Sequence, residues 1–418
     1  MIAFAALASA LAVAGDGHPA CRRRLCGAEA LAPYFAALQT ARAKDRAPVH
    51  VLQIGDSHSA GDNITGARRE ALQARFGPGG RGVLPPGRPF AGYAPHGMTV
   101  EQSDGWTQQT ILSSAAQDPA TRPLFGLSGY RLTSLRAGAK VSMTAEPDAA
   151  FTRLTVCAER APGAGAFVIS LGTTTTRVPL AADAPSIGCT TLQVKEPQTW
   201  AEVAVEDGPV TLTSWAAFAD DGGVAVSNLG VVGAQLRHFA ETDDQAVAEE
   251  LRAYRPDLIV LAYGTNEGFG DAFDASAYAA LLRAQIERLR RLSGGIPILV
   301  LGAPDAERKT AAPAPPVRKL RWRRRAAAYP WATPPALALV RGAQKRVALA
   351  EGAAFWDWAA GMGGQGAARR WSAAEPPLMR PDHVHFTAAG GAKIAQALDA
   401  DLDAAAQTFA AKALTGEK

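Results

Sequence analysis

An alternation of apolar strands and helices starts near residue 49, breaks off, and resumes after Gly222; that single interruption restricts the possible folds more than any other feature. Residues 51–54 are a short apolar run that ends in Gly55-Asp56-Ser57, and a helical pattern over 67–76 stops at Gly77. From 124 to 222 helical periodicity is absent. Short alternating or β-branched runs, such as 130–135, 151–157, 166–171 and 210–218, are parted there by Gly, Pro, Asp and Asn, the spacing of an all-β sandwich. Beyond it, 257–263 and 296–301 read as strands buried on both faces, with helices over 277–292, 341–350 and 388–411. Strands alternating with helices on both sides of a β stretch predict one parallel-sheet α/β domain, 28–123 and 223–412, with an all-β sandwich inserted at 124–222.

Residues 1–14 are apolar, too short to span a bilayer, and end in the small-x-small pattern Ala12-Val13-Ala14. They read as a signal peptide, although no positive charge precedes the apolar run. No other run is long and apolar enough for a span, so no integral membrane contact is expected. Cys21, Cys26, Cys157 and Cys189 allow three connectivities. Pairing within each local unit gives Cys21–Cys26 and Cys157–Cys189, which suits a periplasmic or secreted protein. A net charge of +4 on 418 residues is too small to imply a nucleic-acid partner. The basic run at 318–325 reads either as a solvated face or as a contact for an anionic polymer. No motif speaks to the oligomeric state.

Ser57 stands at the carboxyl end of a buried strand and ahead of a helix, where open α/β sheets place their ligand crevices. Helix amides there favour developing negative charge. Attack by a serine hydroxyl needs a base, a group that orients the base, and donors for the oxyanion. Asp382-x-x-His385 lets one loop carry both base and orienter, and histidines ordinarily titrate near neutrality. The backbone N–H groups of Ser57 and Gly233, with the Asn266 side chain, make a candidate three-donor hole.

Gly55-Asp56-Ser57, Gly233, Gly264-x-Asn266 and Asp382-x-x-His385 resemble, in order and role, the four blocks of the SGNH (GDSL-type) hydrolases over residues 48–110 and 223–405. The resemblance implies a three-layer α/β/α, flavodoxin-like fold with a parallel central sheet, and serine esterase activity that needs no cofactor or metal. Ile54-Gly55-Asp56-Ser57-His58, Gly87-Arg88-Pro89-Phe90, Ala354-Phe355-Trp356-Asp357-Trp358 with Met362-Gly363-Gly364, and Asp382-His383-Val384-His385-Phe386-Thr387 look like the bacterial peptidoglycan O-acetylesterase branch. That branch carries a β-sandwich similar to a carbohydrate-binding module. The implied partner is an O-acetylated glycan, with acetyl groups removed from muramic acid O-6. His58, which stands where the broad family usually has leucine, joins Trp358 and Met362 as candidates for contacting substrate. Three other readings remain: an O-acetyltransferase using the same serine, a non-catalytic glycan-binding protein, and a metallophosphoesterase. The last would use Asp56-x-His58 and His383-x-His385 but lacks bridging ligands between them.

Overall fold

The computed structural model describes residues 21–114, 122–310 and 330–415. The signal-peptide reading at 1–14 and the basic run at 318–325 lie outside the described residues.

Seven strands form the central sheet. Strands β3 (Val49–Gly55), β4 (Val224–Gly230), β5 (Leu258–Ala262), β6 (Ile298–Leu301) and β7 (Ala354–Trp356) are parallel, in the spatial order β7-β6-β5-β3-β4. The hairpin β1 (Cys21–Arg22) and β2 (Leu25–Cys26) adds an antiparallel edge beside β7. The chain starts the parallel sheet at β3, places β4 on one side of it and the remaining strands on the other. This is the flavodoxin-like order, whose reversal point lies beside β3.

The sheet is buried on both faces because successive side chains of each strand point to opposite layers. Leu52, Ile54, Ile259, Leu261 and Val300 pack against α2 (Asp244–Tyr254), α3 (Ala275–Ser293) and α4 (Ala336–Ala350). Val49, Val51, Val226, Val260 and Leu299 pack against α1 (Asn63–Phe76) and α5 (Ala388–Thr415). Helix α1 starts four residues before the expected Ala67. Asp62, just ahead of it, accepts from Thr65 Oγ1 at 2.6 Å and from both terminal nitrogens of Arg69. Those bonds stabilise a first turn built from weak helix formers. Helix α4 likewise starts at Ala336, directly after Pro334-Pro335, where proline's fixed φ suits the first turn.

The β module is two packed antiparallel sheets of five and six strands. It starts well before residue 124. Gly82–Leu84 pairs with Val210–Phe218, Met98–Gln102 pairs with Lys140–Ala145, and Trp106–Thr110 pairs with Tyr130–Ser134. Two of these are edge strands of five residues, rich in Thr, Gln and Glu, so each offers too few inward apolar side chains to betray a strand.

The module does not hang free. Its Cys157, Ile187, Ala216 and Phe218 belong to the same apolar core as α2 and the sheet. At the seam, buried Glu250 on α2 accepts from Leu127 N, Thr213 Oγ1 and Ser214 Oγ, all from the module or its edge. Tyr254 adds a contact of 2.6 Å to Ser214 Oγ. Burial raises the Glu250 pKa despite these donors, so the seam holds a proton more readily than a surface carboxylate does. Both expected disulfides are formed, Cys21–Cys26 across the β1–β2 hairpin and Cys157–Cys189 between directly opposed module strands. Among the described residues no helix is long and apolar enough to cross a membrane.

Candidate active site

The register of the sheet levels the loops that matter. Gly55 lies opposite both Gly230 of β4 and Ala262 of β5, so the three following loops leave the carboxyl rim side by side. A Cβ on Gly55 would sit 2.5 Å from both the Ala262 carbonyl and Ser59 Oγ, so glycine is required for this close approach. After it, Asp56 caps the short helix Ser57–Ala60 by accepting from His58 N at 2.9 Å. Ser57 is thereby held at the first position of a helical turn, and its N–H donates to no other group among the described residues.

The loop ahead of α5 approaches from the other side. Asp382 Oδ1 accepts from Val384 N and His385 N, each at 2.9 Å, and its Oδ2 lies 2.8 Å from His385 Nδ1. His383 takes the left-handed backbone (φ 59°) that closes this turn. With Nδ1–H donated to the carboxylate, His385 Nε2 is free to accept, and it lies 3.0 Å from Ser57 Oγ. Partial burial would raise the Asp382 pKa, but the His385 N–H, the His385 ring and the Val384 N–H outweigh it and hold the carboxyl below its ordinary range.

The two remaining loops are stitched to each other. Asn266 Nδ2 donates to Ala234 O at 2.8 Å, which commits one of its two amide hydrogens and leaves the other. Gln235 Nε2 donates back to Asn266 O, and Leu236 N donates to Glu267 Oε1 at 2.7 Å. Gly233 has the positive φ (82°) that glycine tolerates, and its N–H also has no acceptor among the described residues. Glu267, which sequence reasoning did not single out, is buried, and burial pushes its carboxyl up to about 7.

A groove of about 670 Å³ opens over Ser57 and His385, walled by Phe90, Ala94, Val232 and Arg380. A larger cleft, about 1300 Å³, lies at the opposite rim around Asp257 and Arg255 and contains none of these groups.

The three residues expected to contact substrate are placed differently. Trp358 and Met362 are buried in the apolar layer under α5, where Trp358 stacks on Phe386 at 5.7 Å. The chain turns inward after the Asp357 cap, so both side chains serve packing. His58 only borders the groove, because one residue along a helix rotates its side chain about 100° away from that of Ser57. Its buried ring sets Nδ1 at 3.1 Å from Asp56 Oδ1 and Nε2 at 3.0 Å from Val384 O. Burial lowers its pKa, but Asp56 and the Val384 carbonyl prevail and raise it overall. His58 is thus a strut beneath the loop of His385. His383 Nδ1 is likewise engaged, 2.8 Å from Glu307, with its ring stacked on Trp331. His58 thus engages both ring nitrogens, whereas His383 engages Nδ1.

Residues 199–393 match the family model described as GDSL-like Lipase/Acylhydrolase family. The match takes in Gly233, Asn266 and Asp382 to His385 but not Ser57, which the β module separates from them in sequence. No curated protein matches the chain by sequence. Among solved structures, one described as a peptidoglycan O-acetylesterase in action is 23% identical, with a TM-score of 0.72 over 90% of this chain and 96% of that one. A putative GDSL-like lipase from Parabacteroides merdae is 16% identical, covers 43% of this chain and 73% of its own, and has a TM-score of 0.31. A family two carbohydrate esterase from Cellvibrio japonicus is 13% identical, with corresponding coverages of 74% and 98% and a TM-score of 0.28. Family model and fold agree: residues 199–393 carry a GDSL-like lipase/acylhydrolase domain, set in a fold shared over 90% of the chain with a peptidoglycan O-acetylesterase.

Proposed function

We propose that the protein is a serine esterase that removes O-acetyl groups from a carbohydrate, foremost peptidoglycan, through Ser57, His385 and Asp382. The observation that carries this reading is the unbroken chain from Asp382 Oδ2 to His385 Nδ1 at 2.8 Å and from His385 Nε2 to Ser57 Oγ at 3.0 Å, opening onto a groove. Ser57 Oγ attacks the ester carbonyl while His385 Nε2 takes its proton, and Asp382 stabilises the imidazolium. The oxyanion is received by the N–H groups of Ser57 and Gly233 and the uncommitted amide hydrogen of Asn266. His385 returns the proton to the leaving sugar oxygen. It then activates the water that releases acetate from the acyl-serine.

Likeness of fold over 90% of the chain to a peptidoglycan O-acetylesterase supports the substrate, and two disulfides support a periplasmic or secreted setting. The test is Ser57→Ala. We expect hydrolysis of p-nitrophenyl acetate to fall by about 10³-fold or more, with the melting temperature and near-UV spectrum kept. Wild-type turnover in that variant would reject the nucleophile. Acetate release from O-acetylated peptidoglycan should exceed release from acetylated xylan or an acylglycerol; the reverse order would reject the cell-wall substrate. Formation of a new acetyl sugar in place of acetate would assign a transferase.

A further inference from the structure

We infer that Arg380 makes this groove selective for acetyl esters on sugars that carry a carboxylate; the inference rests on the esterase reading above. Three observations meet at this residue. Its backbone is fixed to the loop of the candidate base: Arg380 N donates to His385 O at 2.7 Å, and Arg380 O accepts from His383 N at 3.0 Å and from Ser372 Oγ at 3.3 Å. Its side chain is exposed, lines the same groove as Ser57, and has neither an ion-pair nor a hydrogen-bond partner among the described residues.

The groove lining holds no aspartate or glutamate. Of the carboxylates next to it, Asp382 is committed to His385 and Glu70 faces His96 at 3.4 Å. A guanidinium anchored at its backbone and unpaired at its head, in the same groove as Ser57, is a fork for a planar anion. On an acylated glycan that anion is a carboxylate, either the sugar's own or that of an attached peptide.

The experiment compares 6-O-acetyl-N-acetylmuramic acid, its methyl ester, and its conjugate to L-alanine with a free terminal carboxylate. Acetate release is followed for wild type, Arg380→Gln and Arg380→Lys. In wild type one or both anionic substrates should exceed the methyl ester by about five- to tenfold in kcat/KM, through KM, and added salt should shrink the ratio. Which of the two is favoured identifies the carboxylate that is read. Arg380→Gln should bring the ratio near one, and Arg380→Lys should restore part of it. Equal rates on the acid and ester forms in wild type, or a ratio that survives Arg380→Gln, would overturn the inference. Ser57-dependent hydrolysis of p-nitrophenyl acetate is run alongside. Its absence in wild type would overturn the esterase reading itself, whereas its presence with no discrimination overturns only the role of Arg380.

Discussion

Among the described residues there are two serine–histidine contacts. At the groove, Ser57 Oγ lies 3.0 Å from His385 Nε2; at the other end of β3, Ser227 Oγ lies 2.7 Å from His50 Nε2. Both imidazoles donate from Nδ1 and accept from a hydroxyl at Nε2. His50, however, donates to the Tyr254 carbonyl, where His385 has the Asp382 carboxylate. The Ser227 oxygen is already accepting from Val83 N, and both partners are buried. Burial lowers the His50 pKa to about 4, so that ring resists the very proton a base must take. The contrast teaches that a serine–histidine contact is not yet a catalyst. The groove pair has what the buried pair lacks: a carboxylate behind the ring, solvent access in front and unspent N–H donors nearby.

The largest effect should come from removing what only the groove pair possesses. Asp382→Asn presents an amide N–H where the His385 ring needs an acceptor, and kcat should fall by about 10⁴-fold. A loss under about tenfold would put the carboxylate on the same footing as the Tyr254 carbonyl and erase the contrast. Ser227→Ala should do the opposite. It leaves Val83 N–H and His50 Nε2 without their partner, costing about 1–3 kcal/mol in denaturant unfolding. Its turnover should stay within about twofold of wild type, as expected of a distant site. A rate defect like that of Ser57→Ala would mean the buried pair takes part in the chemistry.

The smallest effect concerns Glu267, which burial shifts in the sense opposite to conventional acid weakness. Its folded pKa of about 7 exceeds the ordinary 4.5, so the folded state holds this proton more tightly than the unfolded chain. That contribution is complete below about pH 4.5 and is lost as pH rises through about 7. Glu267→Gln cannot titrate and keeps an acceptor for Leu236 N. Its stability relative to wild type should therefore improve as pH rises from 5 to about 7.5 in thermal melts. A pH-independent difference would show that Glu267 is ionised throughout and set only by its hydrogen bond.

Much of the α/β half was legible because strands buried on both faces leave continuous apolar runs, as in Leu258–Ala262, and because Ser57, Gly233, Asn266 and the Asp382–His385 pair stand in recognisable local patterns. What escaped were properties of facing. His58 and Ser57 are chain neighbours, yet one points to the groove and the other into a buried ion pair, and no sequence pattern separates them. Trp358 follows the same logic, since an aromatic beside a cleft motif and an aromatic beneath it look alike until the cap at Asp357 is seen. The early start of the β module was hidden because Met98–Gln102 and Trp106–Thr110 are five-residue edge strands whose few apolar side chains, Met98, Val100 and Trp106, share a core only once the ladders are formed. Arg380 escaped for a different reason: its meaning lies in the partners it lacks.

Glu250 gives the two lobes a shared fate. A carboxylate whose donors come from the neighbouring lobe loses them when that lobe is cut away, because the pieces would separate Glu250 from Leu127 N, Thr213 Oγ1 and Ser214 Oγ. The β module is thus not an accessory that recombination can lift out and plug into another scaffold. Whatever it does for the groove, it must be inherited together with the helix that bears Glu250.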